Sequence, residues 1–90
     1  MRKSKKTIAA DHLFAAILTL KNKEECYLFF EDLCTPNELS SLSQRYEVAK
    51  LVSEGKTYVE IAEATGASTA TISRVSRSIN EGYDIVFSRL

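Results

Sequence analysis

At 90 residues, 44% of them apolar, the chain holds one domain, with only a small core if it folds as a lone subunit. Twelve basic residues balance twelve acidic ones, and nothing approaches the run of roughly 18 apolar residues that a membrane span requires, so a soluble protein without a membrane partner is expected. The basic start from Met1 to Lys6 does not lead into a secretory signal, because Asp11, His12 and Thr19 interrupt the apolar positions that follow; the expected compartment is the cytoplasm.

From Thr7 to Leu20 the residues Ile8, Leu13, Phe14, Ile17, Leu18 and Leu20 recur at helical spacings and predict a first amphipathic helix. Asn22 breaks the pattern. A second helix over Lys23 to Cys34 carries Cys26, Tyr27, Phe29, Phe30 and Leu33 across a face wider than one stripe. Such breadth predicts burial on two sides, supplied by a second subunit or by the rest of the same chain. Cys26 and Cys34 stand eight residues apart on this helix, roughly 12 Å at helical rise, too far for a disulfide. They read as buried, reduced thiols, and with His12 as the single histidine no metal site is expected.

Thr35, Pro36, Asn37 and Glu38 form a strong helix start: a capping hydroxyl, a proline at the first helical position and a carboxylate three residues after the cap. The third helix then keeps Leu39, Leu42, Tyr46, Ala49 and Val52 at helical spacing until Gly55 ends it. Thr57 and Glu60 make a capping box for a fourth helix running to Glu63 or Ala64. Gly66 forces a tight turn, and Ser68 caps a fifth helix to about Ile79 or Asn80. A sixth, Glu81 to Leu90, is expected to point Ile85, Val86 and Leu90 inward.

Two helices that cross closely through a tight turn need a small residue in the first, a glycine at the turn and apolar residues on the inner face of the second. Between Tyr58 and Arg77 these are Ala62, Gly66, and the set Ile61, Ala67, Ile72 and Val75. The helical period then puts Ser68, Thr69, Ala70, Ser73, Arg74 and Arg77 on the outer face. Short side chains at Thr69, Ala70 and Ser73 let such a helix sink into a major groove, where hydroxyls bond base edges and methyls touch thymine, while Arg77 reaches guanine or a phosphate. From Ala64 to Asn80 there are two positive charges and no negative one, whereas Glu24, Glu25, Glu31, Asp32 and Glu38 gather upstream. The basic run Arg2, Lys3, Lys5 and Lys6 reads either as an arm drawn to phosphates or as a solvated terminus. The plainer alternative for the whole motif is a helix pair that only packs the domain.

The TPxE start at Thr35 to Glu38, then Leu42, Arg45 and Val48, and the GAxxATIxR stretch through Gly66, Ala67, Ala70, Thr71, Ile72, Ser73 and Arg74 resemble the bacterial Trp repressor family. The likeness covers about Thr35 to Ser78. It implies an intertwined homodimer of six-helix subunits whose N-terminal helices share one core and whose two heads enter successive major grooves. It also implies an effector pocket for L-tryptophan, in which two arginines sandwich the indole; these fall on Arg45 and Arg74, with Thr35 and Ser78 near the ligand. Val75 stands where the family has a glycine that leaves room for the indole, and Val59 and Ala62 stand where the repressor has basic residues against its operator. A partly filled pocket and a different operator are therefore expected.

The resulting expectation is an all-α, six-helix, Trp-repressor-like subunit in an intertwined dimer. It is a single domain over 1–90, with dimerisation helices in 1–34 and the helix-turn-helix region in 35–90. Its partner is double-stranded DNA, read as a two-fold site with half-sites about 34 to 36 Å apart, and its role is that of a transcription repressor. No catalysis is expected: His12 has no evident nucleophile or metal partner, and there is no glycine-rich phosphate loop. From another class, the alternative is a protein-interaction module that keeps the fold without operator binding.

Overall fold

The computed structural model describes residues Lys6 to Leu90; the predicted arm at Arg2, Lys3 and Lys5 lies outside them. The described residues form six helices and no strand: α1 Ile8–Ile17, α2 Lys23–Leu33, α3 Pro36–Ser53, α4 Tyr58–Thr65, α5 Thr69–Ser78 and α6 Glu81–Arg89. The chain divides into two compact units, one through Thr35 and one from Pro36 onward.

In the first unit, the Thr7 hydroxyl accepts from the backbone N–H of Ala10 at 3.0 Å and starts α1. The helix stops at Ile17, short of the expected Leu20. The chain tightens there, with the N–H groups of Thr19 and Leu20 turning to the carbonyls of Ala16 and Ile17, and the Thr19 hydroxyl donating to the Ala16 carbonyl. Asn22 caps α2 through the N–H of Glu25 at 2.9 Å, and the Glu25 carboxylate accepts from the N–H of Lys21 at 2.9 Å. The rings of Phe29 and Phe30 meet edge to face at 5.7 Å. Neither helix contains a fully buried residue. Correspondingly, Cys26 is exposed and Cys34 half-buried, so the expected buried thiols are not found in the single chain. Cys34 also stands just past α2, in extended backbone.

The second unit has a true core. Val48 and Ala49 of α3, Ile61 of α4, Ala67 of the turn, and Ile72 and Val75 of α5 are buried together. Leu51, Val52, Ala62, Ile79, Tyr83 and Phe87 pack around them. α3, α4 and α5 pack against one another pairwise. α3 ends in a Schellman turn: Gly55 takes φ +82°, its N–H bonds the Val52 carbonyl, and the Lys56 N–H reaches back to Leu51 at 3.1 Å.

One expectation fails at α6. Ile85, Val86 and Leu90 are exposed, and the inward face is made by Tyr83 and Phe87. Phe87 lies 5.7 Å from the Tyr83 ring and 5.8 Å from that of Tyr46 on α3, so an aromatic trio decides the helix's rotation. Periodicity alone cannot choose between the stripe holding the Ile/Val/Leu set and the neighbouring stripe with the larger rings. Among the described residues, no helix is long and apolar enough to cross a membrane.

Candidate nucleic-acid interface

The helix-turn-helix is built by local capping at both of its starts. At α4 the capping box is complete: the Glu60 N–H donates to the Thr57 hydroxyl at 3.2 Å, and the Thr57 N–H donates to the Glu60 carboxylate at 2.9 Å. That backbone N–H first, then the Thr57 side chain and the charge of Lys56, hold the Glu60 carboxyl below its ordinary pKa. At α5 the Ser68 oxygen accepts from the Thr71 N–H at 3.1 Å while its own hydroxyl lies 3.1 Å from the Thr71 hydroxyl. Ser68 is exposed at the start of α5 with its hydroxyl engaged in the cap.

The turn between the two helices is fixed by three devices. Gly66 sits in the left-handed region at φ +72°, where a side chain is strained. The Thr65 hydroxyl donates to the Ile61 carbonyl at 2.7 Å and accepts from the Ala67 N–H at 3.2 Å, so one side chain ties helix, turn and following strand of backbone. The Gln44 amide of α3 donates to the Thr65 carbonyl at 3.1 Å. Neither Gln44 nor Thr65 was singled out by sequence, since a bond spanning 21 residues leaves no local signature. Ala62 packs against the core, which is the small-residue role at the crossing, whereas Val59 and Tyr58 stay exposed on α4.

Of the inner set, Ile61 and Ile72 are fully buried, Val75 is 4% exposed and Ala67 6%. The outer set falls on the opposite face of α5: Ser68, Thr69, Ala70, Arg74 and Arg77 are exposed and Ser73 is half-buried. Arg77 Nη1 donates to the Ser73 hydroxyl at 3.0 Å, one helical turn away. The face is thus small, polar and cationic, which is what entry into a groove lined by phosphates demands.

The residues tied to an effector pocket are placed less distinctively. Arg45 on α3 and Arg74 on α5 are both exposed, on helices that pack together. The Ser78 hydroxyl turns back to the Val75 carbonyl at 2.9 Å. Thr35 closes the other unit. Val75 is part of the packed core.

Comparison with known proteins gives a consistent picture. The family model for the Trp repressor protein matches residues 9–90. A TrpR-like protein from Eubacterium eligens ATCC 27750 superposes with a TM-score of 0.89 at 63% identity, covering 93% of this chain and 90% of that one. A Trp repressor candidate from Staphylococcus aureus gives 0.88 at 56% identity, covering 93% and 87%. The uncharacterized protein YerC of Bacillus subtilis (strain 168) is 62% identical over 74 residues, 82% of this chain and 71% of YerC. With its fold and nearly its whole length matched, the chain belongs to the Trp repressor family, a family of DNA-binding regulators and not of enzymes.

Proposed function

We propose that this protein is a homodimeric, sequence-specific DNA-binding regulator of transcription, acting as a repressor in the cytoplasm, with α5 and its cap as the reading element. Ser68, Thr69, Ala70, Ser73, Arg74 and Arg77 meet the DNA. The observation that carries this reading is the division of α5 into two faces: Ile72 and Val75 locked in the core, and opposite them short polar side chains with two arginines and no carboxylate. A helix that merely packed a bundle would have no need of such a face.

The dimer is supported by the first unit, where Phe14 is 59% and Leu18 85% exposed while nothing is fully buried. Covering such side chains is worth roughly 25 cal/mol per Å², and a second copy is the partner a symmetric DNA site calls for.

Tryptophan is left out of the mechanism. Where the family's glycine leaves room beside the arginine, this chain has a branched side chain already 4% exposed among Val48, Ala49, Ile61 and Ile72. Forcing an indole against it costs on the order of 1 to 3 kcal/mol in a site that cannot relax. DNA reading without an effector is the expected behaviour.

The test is selection of random genomic fragments by the purified protein at one near-physiological salt concentration, with and without tryptophan. Enrichment of one palindrome in both arms is the expected result. Enrichment only with tryptophan restores the effector. No enrichment in either arm overturns DNA reading in favour of an interaction module.

A further inference from the structure

The outer face of α5 carries three hydroxyls, at Ser68, Thr69 and Ser73, and two of them are engaged within the protein. Ser68 caps the helix through Thr71. Ser73 accepts from the Arg77 guanidinium at 3.0 Å. Among the described residues, the Thr69 hydroxyl has no hydrogen-bond partner, and Arg74, on the same helix, has no counterpart of the Ser73 bond. The two arginines therefore differ: Arg77 is tied at its tip, and Arg74 is not.

We infer that Ser73 is a positioning residue for Arg77, and that the guanidinium so held is a donor-only fork directed at guanine. This rests on α5 being the reading helix. A guanidinium has a rigid, planar set of N–H donors on a stem with many rotamers. Fixing one N–H on Ser73 removes much of that freedom before DNA arrives, and the remaining N–H groups keep their fork. The Ser73 oxygen, having accepted, still has its own O–H to donate. The Arg77 fork itself offers donors only toward the groove. Among base edges in the major groove, guanine presents two acceptors, O6 and N7, and the amino group of cytosine is a donor that such a fork repels.

The test is a double-mutant cycle on the selected palindrome, using the full chain and the variants Ser73→Ala, Arg77→Ala, the double change and Ser73→Thr. Arg77→Ala is expected to weaken binding roughly 5- to 150-fold. Ser73→Ala is expected to weaken it about 2- to 10-fold in the parent and by much less once Arg77 is gone. Ser73→Thr, which keeps the hydroxyl, restores it. Replacing guanines of the palindrome one at a time by 7-deazaguanine, which lacks the N7 acceptor, should identify one base whose loss costs the parent most, costs Ser73→Ala less and leaves Arg77→Ala unchanged. Additive losses in the cycle, or no guanine with that behaviour, overturn the inference while leaving DNA reading by α5 in place. A parent protein that selects no palindrome overturns both. Thermal melting of each variant separates a folding defect from a lost contact, and Ser73→Ala is expected to melt within a few degrees of the parent because alanine favours a helix.

Discussion

The two units of this chain are both helical, yet only one is self-sufficient. From Pro36 onward, three helices and a turn bury Val48, Ala49, Ile61, Ala67, Ile72 and Val75 in one cluster. Through Thr35, α1 and α2 are well capped at their starts but bury no residue fully. Good local signals are thus enough to make a helix and not enough to make a core. Under the proposed function, a head that meets DNA in one fixed geometry needs its own packing, while helices covered by a second copy can leave their apolar faces open in the single chain.

The sharpest way to break this comparison is in the head. Ile72→Ala removes a fully buried side chain and is expected to cost about 2 to 5 kcal/mol, read by denaturant unfolding. A loss no larger than that of an exposed position would mean the cluster is not what holds the head. In the first unit, Phe14→Glu is expected to leave the head folded and convert the proposed dimer to a monomer in light scattering, with roughly 1.5 to 3 kcal/mol of burial lost per copy. A variant that still dimerises would show that α1 is covered in some other way.

Smaller effects probe the caps. Thr57→Ala removes one half of the capping box at α4 and should cost roughly 0.5 to 2 kcal/mol in the same unfolding assay. The Glu60 half is sensitive to acid. Because Glu60 has a lower pKa folded than unfolded, the unfolded chain takes up its proton first as pH falls. Its contribution is therefore present at neutral pH, declines once pH drops to the ordinary glutamate range and is gone below the folded pKa. Glu60→Gln should flatten stability over that acidic window. An unchanged acid profile would show that the Thr57 bonds do not hold in solution.

Much of the head was legible because its signals are local. The Thr57 box, Gly55, Gly66 and the Ser68 cap each act within a few residues, so their pattern in sequence is their pattern in space. The inner set was legible too, since one period fixes which residues share a face. What was hidden involved choices between faces or contacts across the fold: the rotation of α6 onto Tyr83 and Phe87, and the Gln44 brace on the turn. The Ser73 to Arg77 bond sits between these cases. Its spacing of one turn is visible in sequence, but so is that of many pairs that never meet.

The sequence by itself determined where most helices begin, that α5 leaves a polar, cationic face, and which family the chain belongs to. Helix starts, stops and amphipathic stripes are consequences of short-range backbone chemistry. Only the tertiary structure decided which stripe of α6 turns inward, that Gln44 braces the turn, and which hydroxyls on α5 and its cap are already engaged. These depend on which surfaces fill one another's space and on single hydrogen bonds of about 3 Å, and no repeat of residue types along the chain encodes either.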